Sequence, residues 1–467
     1  MKVIKIGGGC LHGKETIAQI LDLIAVHGKG QVIVVSALNG ITNTLIQGMD
    51  QALADEENVP GIISHIKNKH MLVARHLISS EDKREEFCRD LTKSLSRLER
   101  LYYGLNFTRE ITPRIRDIIS SFGERFSAAL LAFALECRQC KATYRLPHKI
   151  GMITDGKFGD ASANLSLTAL NFQKYLVPII TPDTVVFLPG FFGVSEGGDI
   201  TTFGRGGSDY SAAVVAAALD AESLEIWKDV DGFLSADPRM VKGASLIPIL
   251  SYEEAAELAY FGAAILHPRT IEPIRKKKIP ITIKNTLNPD AQGSIITTES
   301  PRCRMAVKSV AYTTDIGILK VHASGVGARQ GILGLVANRI AESGINIKSV
   351  VTSQTCISLL LATADLEPGL EALKSLDPRP YQRIEKVDNI ALICIVGDGL
   401  LKCKGIAAKC FVAVAEQDVC IEMISFGPSK AALYFLVPQE DLETTVNAIH
   451  TTFFTETPQM GAETCDQ

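Results

Sequence analysis

Lys5 stands near the end of a short apolar run, with Ile6 between it and three glycines, in Lys5-Ile6-Gly7-Gly8-Gly9, an arrangement suited to holding phosphate. The glycines let backbone N–H groups approach a polyphosphate, and the ammonium neutralises it. The segment lacks the Gly-Lys-Ser/Thr ending of a P-loop and the G-x-G-x-x-G of dinucleotide folds, so a tight β-turn explains it equally well. A second cluster, Thr201-Thr202-Phe203-Gly204-Arg205-Gly206-Gly207-Ser208-Asp209-Tyr210-Ser211, opens an Ala/Val-rich helix. There Arg205 can fork onto a carboxylate, Gly206 and Gly207 keep the backbone clear, and Ser208 and Asp209 suit the helix start. Capping alone does not account for the whole cluster. A third block, Ile226-Trp227-Lys228-Asp229-Val230-Asp231-Gly232, continues to Ala236-Asp237-Pro238-Arg239. Its mix of carboxylates and cations on a strand-to-loop passage suits either a nucleotide site or a solvated loop.

These groups need a scaffold, and the chain spells out an alternating one. Runs rich in Val and Ile (Val3 to Ile6, Val32 to Val35, Val177 to Ile180, Val185 to Leu188, Ile281 to Ile283) are separated by segments of helical period. That alternation predicts an α/β domain with a mainly parallel sheet sandwiched by helices. Residues 53–119 break the rhythm, being charged, helical in period and poor in strand signals, and read as a helical insertion or lid. Turn formers cluster near 287–305, so the catalytic part is expected to span 1–300.

An internal repeat follows. Gly331-Ile332 and Gly405-Ile406 are 74 positions apart, as are Ile345 and Val419, and Val350 and Ile424. Each copy reads as strand, Gly-containing turn, amphipathic helix and two further strands. Two small α+β modules are therefore expected, at 305–380 and 385–456, each small enough to pair edge to edge with another, followed by a frayed tail at 457–467.

Composition narrows the function classes. A chain of 467 residues, 46% hydrophobic and 21% charged, belongs with multidomain globular proteins. A formal net charge of −4 offers no electrostatic footprint for nucleic acid. The N-terminus lacks a signal-peptide pattern, and the apolar stretch Ala212 to Leu219 is far short of the roughly 20 residues that span a bilayer, so a cytoplasmic protein without membrane partners is expected. Eleven scattered cysteines argue for reduced thiols, Cys137-Arg138-Gln139-Cys140 included.

Taken together, the blocks resemble aspartate kinase of the amino acid kinase family over nearly the whole chain. The resemblance is carried by Val35-Ser36-Ala37 with Thr42-Asn43, Ser121-Phe122-Gly123-Glu124, Ile153-Thr154-Asp155, Gly190-Phe191-Phe192-Gly193 and the Arg205 to Ser211 block. It continues through Ala236-Asp237-Pro238-Arg239, Leu250-Ser251-Tyr252-Glu253-Glu254-Ala255, Leu266-His267-Pro268-Arg269-Thr270 and Ile283-Lys284-Asn285-Thr286. The C-terminal modules resemble ACT domains, which are ferredoxin-like.

The resemblance implies an ATP- and Mg²⁺-dependent phosphotransferase acting on L-aspartate at the head of the lysine, threonine and methionine pathway. Lys5 and Asp209 would be catalytic, with the turn Gly7, Gly8 and Gly9 at the transferring phosphoryl group. Glu124 would pair with the α-ammonium, Arg205 would clamp the α-carboxylate, and Thr42 and Ser208 would orient the rest. Lys228, Asp229 and Arg239 would lie along the nucleotide, and no protein-built metal cage is implied. An effector, lysine or threonine, would contact Val326, Gly331, Ile332, Asn346, Ile347, Thr352, Ser353 and Gln354, mainly on the first module. ACT pairing would give a homodimer or a higher homo-oligomer, and the chain is expected to be complete as a kinase.

Three positions depart from the family pattern. Gly9-Cys10 replaces a Thr-Ser pair in the phosphate turn, Ala264 stands where the family has a lysine, and Phe426-Gly427-Pro428-Ser429-Lys430-Ala431-Ala432 replaces a polar turn in the second module. Lys228, where the family more often has threonine, is the candidate to supply the missing charge. A catalytically weak amino-acid-sensing homologue, or a kinase of a related carboxylate, are the competing readings.

Overall fold

The computed structural model describes residues 1–262, 265–298, 306–327 and 329–455. Ala264, the proposed boundary near 300 and the tail 457–467 lie outside them. The chain divides into two units. Unit 1 comprises Met1–Phe233, Pro248–Ala256 and the described part of 264–300, and unit 2 comprises Leu234–Ile247, Glu257–Ala263 and the described residues beyond 300.

Unit 1 is built on an eight-stranded sheet ordered Lys141–Tyr144, Thr184–Pro189, Val32–Val35, Lys2–Ile6, Ser223–Lys228, Ile281–Asn285, Ser294–Thr297, Ile249–Ser251. Every neighbouring pair is parallel except Ile281–Asn285 with Ser294–Thr297. Strands covered on both faces must be apolar throughout, and Val32–Val35 is buried at all four positions. The run Val177 to Ile180 is no strand but a 3₁₀ turn, Val177–Ile179. Pro178 has no N–H to give a ladder, and its fixed φ suits the first turn of a helix.

The segment read as an insertion or lid is helical but not a lid. Its long helix Glu81–Thr108 is capped by Ser80, whose hydroxyl accepts the Lys83 N–H. Phe87, Leu91, Leu95, Leu98, Tyr102 and Leu105 recur at three- and four-residue spacing and are buried in the same core as the sheet strands. The Tyr102 hydroxyl donates to the Leu45 carbonyl at 3.0 Å and the Asn106 amide to the Ala52 carbonyl at 2.9 Å. The stretch Pro113–Glu136 has the length and composition to cross a membrane, more so than Ala212 to Leu219, but 83% of its most apolar window is buried inside the fold.

Unit 2 holds two four-stranded antiparallel sheets, each with helices packed against it. One is ordered Ser349–Thr352, Cys356–Leu361, Gly317–His322, Arg383–Val387, and the other Ser309–Thr313, Ile390–Val396, Ala432–Pro438, Met423–Phe426. The expected tandem cut does not fall between the sheets. Ser309–Thr313 pairs with Ile390–Val396, and Arg383–Val387 pairs with Gly317–His322, so the first module is inserted into the second. The 74-residue repeat still has its structural cause, because Gly331 and Gly405 are the left-handed N-caps (φ 88° and 83°) of Ile332–Glu342 and Ile406–Ala415.

Candidate active site

Lys2–Ile6 and Ser223–Lys228 run side by side in parallel, Lys5 opposite Ile226 and Ile6 opposite Trp227. The chain leaves the first of them toward Val32–Val35 on one side and later returns to Ser223–Lys228 on the other. In open α/β sheets ligands settle at such a divergence, beyond the C-terminal ends of the strands. Here the glycine turn leaves one strand end and Lys228-Asp229 the other. The Gly7 N–H donates to the Trp227 carbonyl at 3.0 Å. A Cβ on Gly7 would lie 3.2 Å from that oxygen, and one on Gly9 would lie 3.3 Å from Asp229 Oδ2. Both distances are tight, and at Gly7 the neighbour is backbone that can yield little.

A cavity of about 390 Å³ opens at these strand ends and is lined by Lys5, Gly8, Thr42, Glu124, Arg205, Ser208 and Asp209, among others. Residues from five separate stretches of sequence meet there. Ser208 and Asp209 do not cap their helix. The N-cap of Gly207–Ala218 is Gly206, in the left-handed region, with no side-chain capping bond. That frees both side chains to face the cavity. Asp209, 6% exposed, receives the Lys5 ammonium on Oδ1 and the Lys228 ammonium at 3.3 Å on Oδ2. Burial works against ionisation of Asp209, but the two ammonium groups outweigh it and hold the carboxyl below its usual range. Burial, set against the pull of Asp209 and joined by the push of Lys5, lowers the Lys228 pKa.

Glu124, near the start of Phe122–Glu136, is 3% exposed. The Ser208 hydroxyl lies 3.4 Å from Oε1, and among the described residues Oε2 has no hydrogen-bond partner. Burial pushes its pKa up to about 8, against the pull of backbone N–H groups, Ser208 and Lys5. A buried acid with an open acceptor is a seat for a cation brought by a ligand. Arg205 is exposed at the rim. The cavity therefore has an ammonium at Lys5, an acidic wall at Glu124 and a guanidinium at Arg205 on its rim, with Lys228 paired to Asp209, a set of charges suited to a zwitterionic carboxylic acid beside a phosphate.

The remaining sequence candidates are placed as follows. Arg239 belongs to unit 2, where its guanidinium grips Asp237 at 2.6 to 3.1 Å and draws that carboxyl down to about 2. In the first module the Val326 N–H donates to the Gln354 carbonyl at 3.0 Å and the Ser353 N–H to the Cys356 carbonyl at 2.8 Å, which brings Val326, Ser353 and Gln354 into one turn cluster. Gly331 and Ile332 start a helix, Asn346 and Ile347 precede the strand Ser349–Thr352, and Thr352 ends it. Sequence reasoning assigned no role to Ser36, Asn39, Gly40 or Phe191, all of which line the cavity. Their signal was positional, since they follow the C-terminal ends of the buried strands Val32–Val35 and Thr184–Pro189. It also assigned none to His267, whose Cβ and ring lie under Gly206.

Comparison with known proteins agrees with this geometry. The amino acid kinase family model matches residues 1–285 and an ACT domain model matches 393–453. Aspartokinase 2, a chloroplastic protein of Arabidopsis thaliana, is 33% identical over 470 residues, covering 98% of this chain and 85% of its own length. The E. coli aspartokinase III structure in complex with aspartate and ADP (R-state) superposes with a TM-score of 0.82 at 28% identity, covering 97% of this chain and 100% of that one. The same enzyme with lysine and aspartate (T-state) gives 0.80 at 28% identity, over 97% and 99%. On the strength of the family match and of relatives above 30% identity over nearly the full chain, this protein belongs to the aspartokinase family of amino acid kinases.

Proposed function

We propose that the enzyme transfers the γ-phosphoryl group of ATP to the β-carboxylate of L-aspartate, giving 4-phospho-L-aspartate and ADP. The observation that carries this reading is the meeting of Lys5, Asp209, Glu124 and Arg205 around one cavity, with Lys228 paired to Asp209. Glu124 takes the α-ammonium, Arg205 the α-carboxylate, and Thr42 and Ser208 orient the chain of the substrate between them. The β-carboxylate then points toward the glycine turn. A carboxylate with a pKa near 3.9 is already ionised at neutral pH and needs no general base. One of its oxygens bonds to the γ-phosphorus as the bond to the ADP oxygen breaks.

Charge spreads over the equatorial phosphoryl oxygens during transfer, so the enzyme's task is positioning and neutralisation. Lys5, Lys228 and the N–H groups of Gly8 and Gly9 supply it, and Asp209 holds both ammonium groups in place. Among the described residues no cluster of three or more His, Cys, Asp or Glu side chains could cage a metal. Mg²⁺ would be carried on nucleotide phosphates and held by one or two carboxylates, for which the exposed Asp229 beside Gly9 is the candidate. Magnesium would supply charge neutralisation at the phosphates when bound.

The ACT modules are the proposed seat of an amino-acid effector, lysine or threonine, on the first module's turn cluster. The lysine complex of E. coli aspartokinase III supports this. Pairing of ACT modules between copies is the proposed route to a homo-oligomer. The test is ADP release with Mg-ATP and L-aspartate, trapping the acyl phosphate with hydroxylamine, with and without lysine or threonine. Hydroxamate from aspartate but not from glutamate is expected. Nucleotide binding without hydroxamate would overturn the reading in favour of a sensing homologue.

A further inference from the structure

Asp117 takes no part in this chemistry, yet it is a carboxylate only 2% exposed, on the short helix Pro113–Ser120. Oδ2 accepts from the Thr202 N–H at 2.7 Å and the Gly159 N–H at 2.9 Å, and Oδ1 accepts from the Thr202 hydroxyl at 2.8 Å. Burying a carboxylate is costly unless such donors surround it, so the site is built around this group. Its donors belong to two segments that also pair directly, Ala161 N–H to the Thr202 carbonyl at 2.9 Å.

Arg269 holds the same two segments. It donates to the Phe203 carbonyl at 2.9 Å, the Ala161 carbonyl at 2.7 Å, Asp160 Oδ1 at 2.5 Å and Ser162 Oγ at 3.3 Å, while stacking 4.8 Å from the Tyr210 ring. The clasp ends at Phe203, two residues before Arg205. Among the described residues none accepts a hydrogen bond from the Arg205 side chain, which is exposed. The point of the chain from which that guanidinium reaches is held by the backbone, and the clasp holds that backbone as far as Phe203.

We propose that Asp117 is a positioning residue for the amino-acid substrate, setting through the 159–162 and 202–203 segments where Arg205 meets the α-carboxylate. The helical segment thereby governs substrate affinity without touching the substrate. This rests on the reading of Arg205 as the α-carboxylate clamp.

The test is steady-state kinetics of the full chain with aspartate and Mg-ATP varied separately. Asp117→Asn turns an amide donor toward an N–H donor and should raise the KM for aspartate about tenfold, the size of one charged hydrogen bond, with kcat and the KM for ATP within about twofold. In an Arg205→Ala background it should raise KM no further. Thr202→Val, which removes one donor and keeps both backbone N–H groups, should give a smaller rise of the same sign and serves if Asp117→Asn does not fold. Equal rises in both KM values, unchanged KM values, or full additivity with Arg205→Ala would overturn the proposal while wild-type turnover upholds the substrate reading. Wild type without aspartate-dependent ADP release would overturn both.

Discussion

The Lys228 ammonium lies 3.3 Å from Asp209 Oδ2, and the Lys5 ammonium pairs with Oδ1 of the same carboxylate. Two cations on one buried carboxylate leave a net positive charge beside the glycine turn, ready for phosphate. Ala264 lies outside the described residues, and the proposal that Lys228 offsets it is a matter for kinetics.

Lys228→Met should therefore lower kcat by about 10², the usual effect of removing one preorganised electrostatic contact, with the KM for aspartate little changed. Unaltered kcat in hydroxamate assays would rule out a catalytic charge at this position.

Glu124 is held up at about 8 in the free enzyme and must ionise to receive an ammonium. The kcat/KM for aspartate should rise about tenfold per pH unit below that value and level off above it. The native state also keeps a proton that the unfolded chain loses between 4.5 and about 8, so the unliganded fold becomes less stable as the pH rises through this window. Glu124→Gln should abolish both trends, and a pH profile shared by variant and wild type would contradict the assignment.

Gly206 has φ 71°, and a Cβ there would lie 2.3 Å from His267 Cβ. Gly206→Ala should cost about 1–3 kcal/mol in backbone strain and reduce kcat/KM for aspartate at least about tenfold. Gly243→Ala, with open space around it, is the control expected to change neither.

His70 is fully buried, donating from Nδ1 to the Ile66 carbonyl at 2.8 Å, and burial holds its pKa at about 4. An unfolded histidine titrates near 6.5, so the unfolded chain binds the extra proton between 6.5 and about 4. Stability should fall with falling pH across that window by up to about 1.4 kcal/mol per pH unit. Thermal midpoints of His70→Leu should decline less steeply than those of wild type over pH 7 to 4.5. Parallel slopes would show that other groups carry the acid sensitivity.

The parallel strands were legible because burial on both faces demands continuous Val/Ile runs, and the phosphate turn because a run of glycines after a strand lets the backbone pass close to Trp227. Val177 to Ile180 misled because the same apolar run contains Pro178, which cannot join a ladder.

Sequence by itself determined the kind of chemistry, through residue types whose charge and shape are intrinsic: Lys5, Arg205, Glu124, Asp209 and the glycines between them. Only the tertiary structure decided which of them meet. Asp209 reads locally as a helix cap and becomes a clamp for two lysines because the strands ending at Ile6 and Lys228 are adjacent in the sheet. Asp117 has no local signal at all, since its three donors lie 42 and 85 residues away and are brought to it by the packing of Pro113–Ser120 on the strand Ile200–Thr202. Pairings of that sequence separation are set by sheet order and burial, which no short window of residues encodes.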